Sequence, residues 1–324
     1  MQHNSGEKLA FIVGHYKSGS TWLVHLLSLY PGIRGVSECH VFRYVKELQS
    51  LQLATEALFT GSAWGSGGVR GFPKFWLSEL TRDVRARAGL AQGTAALQAA
   101  DVPMSMFDLG LLGQWQLRRS LSNAAEGDAY CREFFEALIE AAKPEHYLIE
   151  KTPTNVFHMQ DIVRVFPRAK LLSIHRDGRD VVLSDKHHLQ RAYNTSQSFA
   201  QRVTKWREAM EVELASHSDF NIHPLSYEEL QHHPEKTVAK LLDFLELPYD
   251  DKLIATLLAG ASFESMSGGR SAGEENRKTF YRKGVVGDWK NSLTDKEIES
   301  FSELAGNMLV NLGYETSPSW RDWS

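Results

Sequence analysis

Cysteine is scarce in this chain: Cys39 and Cys131 are the only two among 324 residues, and they have no ligand-like spacing. That excludes a disulfide-stapled scaffold and a cysteine-built zinc site, and it fits a cytoplasmic setting. Missing too is any apolar run approaching the ~20 residues that span a bilayer. The opening MQHNSGEK lacks the basic and apolar regions of a signal peptide, so a cytoplasmic chain with no membrane span is expected. No excess of positive charge exists either. With 36 Lys and Arg against 40 Asp and Glu, the net charge is -4, which gives no overall electrostatic reason for a nucleic-acid partner, so any anion site must be local. The 13 histidines include His187-His188 and His232-His233, but adjacent histidines cannot face one metal from a helix as an i, i+4 pair does. They read as solvated surface, and no metal is expected. Internal repeats and low-complexity tracts are absent as well.

What is there begins with FIVGHYKSGSTWLVHLL, residues 11–27. Leu9 to Val13 has the length and β-branched content of a buried strand, Gly14 stops it, and a polar turn feeds into a helix carrying Trp22, Leu23, Leu26, Leu27 and Tyr30. The turn leaves the N–H groups of Ser18, Gly19, Ser20 and Thr21 at a helix N-terminus, where no intrahelical carbonyl reaches them and the helix dipole favours an anion. A nucleoside-triphosphate loop reads G-x-x-x-x-G-K-[ST]; Gly14, Gly19 and Thr21 fit it, but Ser20 occupies the lysine position and the lysine has moved to Lys17. Losing that lysine argues for a phosphate-anchored nucleotide without a metal-bound triphosphate. Taken alone, the segment also reads as a glycine-rich turn with a solvated lysine.

The strand-turn-helix pattern recurs. Ile33 to Val36 is a short second strand followed by Ser37-Glu38-Cys39-His40, and Tyr147 to Glu150 is another, ending at Lys151-Thr152-Pro153. Pro153 pushes Thr152 out of helical geometry before a helix whose face carries Val156, Met159, Ile162, Val163 and Phe166. Lys170 to Ile174 is a strand, His175 to Arg179 a polar turn, and Val181 and Val182 enter a helix. Asn221 to Leu225 forms a further strand, and Tyr227 starts the next helix. The expected fold is α/β: one domain over 1–324 with a P-loop-like central parallel sheet and helices on both faces. In such sheets ligands sit beyond the carboxyl ends of strands. Glu38 there is a candidate general base or a hydrated turn acid, with His40 as the alternative base. Lys151 is a surface lysine or a functional one. Arg176 suits bidentate phosphate binding, and the Ser184 hydroxyl, about two helical turns on, supplies a second donor. Asp177, Arg179 and Asp180 read as local ion pairs and caps, and the amphipathic helix marked by Phe199, Val203, Trp206, Met210 and Leu214 as packing.

Between Val41 and about Arg132 no motif is legible. Gly61 to Gly71 is too glycine-rich for a regular element and reads as a mobile loop. Phe59, Trp64, Phe72, Phe75, Trp76, Met104, Met106, Phe107 and Trp115 fill a core or line an acceptor pocket, so this region is expected to set acceptor choice. Later, TFYRKGVVGDWKNSLT offers Arg282 and Lys283 as cations, with Gly284 letting the backbone approach an anion.

At Lys17-Ser18-Gly19-Ser20-Thr21 the chain resembles the sulfotransferases, whose donor is 3′-phosphoadenosine-5′-phosphosulfate (PAPS). The resemblance extends to Arg176 and Ser184, which match the family's 3′-phosphate-binding segment, and to Arg282-Lys283-Gly284 with Gly287-Asp288-Trp289-Lys290, which matches an element that closes over that phosphate. It implies that Trp22, Tyr227 and Phe263 lie by the nucleotide, Phe263 through a segment similar to AGASFESM, and that residues 264–290 close on the donor, with Gly268 to Asn276 a flexible lid. In the tyrosylprotein branch a catalytic glutamate follows the loop's basic residue at the distance separating Glu38 from Lys17, and related enzymes place a catalytic lysine in a Lys-x-Pro turn like that of Lys151. Cytosolic members carry a catalytic histidine where this chain has Pro153, which sends the base role to Glu38. The implied reaction is in-line sulfuryl transfer from PAPS to a hydroxyl, or an amine, of a small-molecule or carrier-bound acceptor, leaving 3′-phosphoadenosine-5′-phosphate (PAP) and using no metal. A magnesium-dependent P-loop kinase and a nucleotide-binding scaffold without catalysis are the alternatives.

Overall fold

The computed structural model describes residues 8–43, 45–46, 104–105, 123–192, 197–218, 220–276, 283–318 and 320. Arg282 and most of the segment expected to set acceptor choice, including its glycine-rich stretch, lie outside the described residues. In chain order the elements are β1 (Leu9–Gly14), α1 (Ser20–Ser28), β2 (Ile33–Ser37), β3 (Met104–Ser105), α2 (Ala124–Ala142), β4 (Tyr147–Lys151), a 3₁₀ helix (Pro153–His158), α3 (Met159–Val165), β5 (Lys170–His175) and α4 (Gly178–Ala192). They continue with α5 (Phe199–Ser216), β6 (Ile222–Ser226), α6 (Tyr227–His232), α7 (Pro234–Phe244), α8 (Asp251–Gly260), α9 (Phe263–Ser267), α10 (Trp289–Ser292) and α11 (Asp295–Asn311).

The strands form one sheet in the order β3-β2-β4-β1-β5-β6, with every pair parallel. β1 is buried along its whole length and, because side chains alternate, feeds two cores. Leu9, Phe11 and Val13 pack with α2, α3, α5 and α11, while Ala10 and Ile12 pack with α1, α7 and α8. Helices thus cover both faces, as the recurring strand-helix pattern predicts. Phe11 meets Phe135 edge-on at 5.2 Å and stacks on Phe166 at 6.1 Å, and burying such a ring is worth about 2–3 kcal/mol.

The strands end in register. Ile12 and Ser37 both sit opposite Lys151, Gly14 opposite Ile174, and His175 opposite Ser226. The chain therefore leaves β1, β2, β4, β5 and β6 along one edge of the sheet, and the residues following each strand meet there. Two helix starts differ from expectation. From Pro153 the chain first makes the 3₁₀ turn with no side-chain cap, the Thr152 hydroxyl donating to Glu150 and accepting from the His40 amide. α4 begins at Gly178, before Val181, with the Asp177 carboxylate accepting from the Arg179 amide at 2.9 Å.

Candidate active site

At Gly14, where β1 gives way to the turn, a Cβ would lie 2.3 Å from the Ile174 carbonyl oxygen, which explains the glycine. The turn carries Lys17 in the left-handed region (φ 69°) and delivers Gly19 as the N-cap of α1. No side chain caps that helix and no acid lies in its first turn, so its leading end is open to an anion. Lys17, Gly19, Ser20, Thr21 and Trp22 line a cavity of about 1040 Å³. Ser18 does not; it is fully buried, and its amide donates to the His15 carbonyl at 3.3 Å.

Glu38 and Lys151 meet in the same cavity. Lys151, its side chain 4% exposed, donates to Glu38 Oε1 at 2.5 Å, and His40 Nε2 lies 3.0 Å from Glu38 Oε2. Burial works to raise the Glu38 carboxyl, but the His40 hydrogen bond and the Lys151 charge outweigh it and hold it at about 2. Burial also lowers Lys17 to about 8, with Lys151 adding to the drop and Asp185 and Glu38 opposing it. Five non-glycine residues among those described have positive φ, and three of them, Lys17, Glu38 and His40, line this one cavity. Each carries strain on the order of 1 kcal/mol or more, so the backbone is held against its preference where the charged groups converge.

The far end is built by β5, α4, α6, α9 and the segment before α10. Arg176 leaves β5 with its guanidinium 4.2 Å over the Tyr227 ring, donating to the Val285 carbonyl at 2.8 Å and to Asp180 at 3.2 Å, while its Nε is buried with no hydrogen-bond partner. Lys283 pairs with Asp288 at 2.6 Å. A Cβ on Gly284 would come within 2.3 Å of the Phe263 ring, so glycine lets this segment lie flat on it. Arg176, Ser184, Tyr227, Phe263, Lys283 and Gly284 line the same cavity as Lys17. Trp22 donates to the Ala261 carbonyl at 2.8 Å and meets Tyr227 edge-on at 5.5 Å. Asp180 accepts from the amides of Gly287 (2.7 Å) and Trp289 (3.0 Å), which fastens the segment before α10 to α4. Arg179 is held by Asp177 and Glu315 between the rings of Trp289 and Trp320, so the tail packs back on the domain at Trp320.

Among the described residues the cavity gathers seven cations, Lys17, Arg43, Lys151, Arg176, Arg202, Lys205 and Lys283, against the carboxylates Glu38 and Asp185. A chain of net charge -4 thus concentrates positive charge in one cleft, as an anion site requires. Sequence reasoning missed several of these residues. The helix assigned to packing does bury Val203, Trp206 and Met210, but Arg202, buried on the flank of that stripe, and Lys205 reach the cavity, and Arg202 pairs with Asp185 at 2.5 Å. Their i, i+3 spacing along the edge of the apolar stripe was the available signal. Among the described residues there is no cluster of His, Cys, Asp or Glu that could hold a metal ion, and no helix long and apolar enough to cross a membrane.

A family model described as a sulfotransferase domain matches residues 7–313. Curated relatives include mouse Sulfotransferase 1B1, 26% identical over 190 residues, which is 48% of this chain and 62% of that protein. Zebrafish (Danio rerio) Protein-tyrosine sulfotransferase 1 is 31% identical over 124 residues, 37% of this chain and 34% of that protein. The matched stretch thus spans less than two thirds of either relative. Among solved structures, mouse sulfotransferase SULT7A1 complexed with PAP superposes with a TM-score of 0.51 at 18% identity, covering 94% of this chain and 84% of that one. Sulfotransferase STF9 from Mycobacterium avium gives 0.52 at 15% identity, covering 95% and 78%. At these identities the structures show the shared fold.

Proposed function

The chain belongs to the sulfotransferase family, and from that premise we propose that it transfers the sulfuryl group of PAPS to a hydroxyl or amine of a small-molecule or carrier-bound acceptor. The observation that carries this reading is the single cavity joining Lys17 and Thr21 to Arg176 and Lys283, because a 3′,5′-bisphosphorylated nucleotide needs donors at both ends of one cleft. In support, Trp22 and Phe263 offer aromatic surface near the far end, and the Arg176 Nε is a buried donor with no protein acceptor. A relative of the same fold binds PAP.

In this reading Thr21 and the open end of α1 hold the 5′-phosphate, while Arg176, Ser184, Lys283 and the neighbouring Arg282 take the 3′-phosphate. The acceptor oxygen attacks sulfur in line, the bond from sulfur to the bridging oxygen breaks, and its electron pair stays on the departing PAP, where Lys17 balances the charge. Lys151 turns from Glu38 to the transferring group. That movement removes charge holding the Glu38 carboxyl near 2, so Glu38 becomes a stronger base as the acceptor proton needs to leave. Glu38 is preferred over His40 because the His40 Nε2 faces Glu38 and its Nδ1 is buried. A cytoplasmic location belongs to the same proposal, consistent with two free, buried cysteines.

The test is label transfer from PAPS to a panel of alcohols, phenols and amines, with calorimetric titration of PAP. The wild type is expected to bind PAP and to sulfate part of the panel, and Lys17→Ala to lose on the order of 100-fold in turnover. Transfer of label from ATP and not from PAPS, or turnover indifferent to Lys17→Ala, overturns the reading.

A further inference from the structure

We propose that Glu150 is a positioning residue for sulfuryl transfer, its buried carboxylate fastening the Glu38-Cys39-His40 turn to the end of β4 so that Glu38 and Lys151 face each other. The catalytic consequence rests on the sulfotransferase reading; the structural claim does not. Three consecutive amides are caught by three consecutive residues. The Glu38 amide donates to the Lys151 carbonyl at 2.8 Å, the Cys39 amide to Glu150 Oε1 at 3.1 Å, and the His40 amide to the Thr152 hydroxyl oxygen at 3.4 Å. Glu150 also orders the third acceptor, because the Thr152 hydroxyl donates to Glu150 Oε1 at 2.5 Å. On its other oxygen, Glu150 accepts from Asn155 Nδ2 at 2.9 Å.

The turn needs this hold. Glu38 and His40 sit at φ 61° and 52°, a conformation that side chains disfavour and that persists only where its surroundings over-determine it. Glu150 is fully buried and does not line the cavity, so it acts through the residues it holds. Along β4 successive side chains point to opposite faces, which lets Lys151 reach the cleft while Glu150 braces it from behind. Burial raises the Glu150 carboxyl, with hydrogen bonds from Thr152 and Cys39 opposing, and what the hold requires of the side chain is its reach to Cys39, Thr152 and Asn155. Glutamine should then substitute. The Asn155 Oδ1 is buried without a hydrogen-bond partner, and an amide rotation there would accept from the new Nε2 while Oε1 keeps Cys39 and Thr152.

The experiment compares wild type, Glu150→Ala, Glu150→Gln and Thr152→Val on the full chain by amide hydrogen exchange, PAP calorimetry and turnover of labelled PAPS. Glu150→Ala is expected to speed exchange at residues 38–40 by about tenfold or more while β1 stays protected. It should also lower kcat about 100-fold with PAP affinity nearly unchanged. Glu150→Gln should restore most of both losses, and Thr152→Val, close in shape and the safer variant for folding, should loosen residue 40 more than 39. Unchanged exchange at 38–40, glutamine as damaging as alanine, or loss of protection and PAP binding throughout the molecule overturns the inference. Exchange needs no acceptor. Absence of turnover in the wild type therefore counts against the sulfotransferase reading, while the exchange result still decides the role of Glu150.

Discussion

At the glycine-turn end of the cleft, Lys17 and Lys151 reach the cavity from the carboxyl ends of the adjacent strands β1 and β4, and the acid they share, Glu38, faces the cavity with them. At the far end Arg176 and Lys283 are tied to Asp180 and Asp288, and Asp180 is itself occupied in holding the amides of Gly287 and Trp289. One end is placed by the sheet, whose register leaves little freedom. At the other, Arg176 leaves β5 but the groups it meets in the cavity, Lys283 and the Val285 carbonyl, belong to a segment fastened to α4 through Asp180. In the proposed reaction, groups set by the sheet would suit the reacting atoms, where small displacements matter most, and groups on the segment before α10 would suit capture and release of the donor.

That contrast makes its strongest prediction for a pair of alanine variants. Lys151→Ala should lower kcat by about 100-fold or more while PAP affinity changes little, since a group that turns to the transferring sulfuryl group acts in the transition state. Arg176→Ala should do the opposite, weakening PAP by roughly 10- to 100-fold through loss of charge-assisted hydrogen bonds, with kcat at saturating donor nearly kept. Calorimetry with steady-state kinetics measures both. If each variant shifts both parameters alike, the two ends are one unit and the contrast fails.

A smaller effect belongs to Asp180. Asp180→Asn keeps one acceptor oxygen for two amides and removes the charge facing Arg176, so the segment from Lys283 to Trp289 should loosen and PAP affinity fall by about tenfold. In the Arg176→Ala background the same change should add less, because the two residues share one network. Additive losses would show that Asp180 acts only as a cap.

The sequence carried the near end better than the far one, for physical reasons. β1, the glycine turn and Lys17 are contiguous, so period and spacing place them, and Lys151 follows from its strand and the proline after it. Glu38 lies more than 100 residues from Lys151, and only the β2–β4 register, with Ser37 opposite Lys151, brings them together. Glu150 read as a strand residue because nothing local says that a buried acid will find Cys39 and Asn155. Likewise Asp180 looked like a cap, which it is, but for residues 107 and 109 positions away. Arg202 and Lys205 were hidden by a good apolar stripe on the same helix, since a stripe identifies the residues packed in the core and leaves the function of those flanking it open.

The mildest prediction separates the two ends by pH. Burial holds Lys17 at about 8 in the free protein, so its protonated fraction falls from about nine-tenths at pH 7 to about a quarter at pH 8.5. Bound phosphate favours the charged form and raises that pKa in the complex, so binding takes up a proton where the free lysine has lost one. PAP affinity should therefore weaken as pH rises, by about fourfold over this interval. Lys17→Arg should flatten the dependence, because a guanidinium stays charged throughout, and Arg176→Ala should weaken binding while leaving the slope intact, because Arg176 does not titrate in this range. Affinity that rises with pH, or a slope that survives Lys17→Arg, would move the titrating group away from the glycine turn and with it the assignment of Lys17 to the departing oxygen.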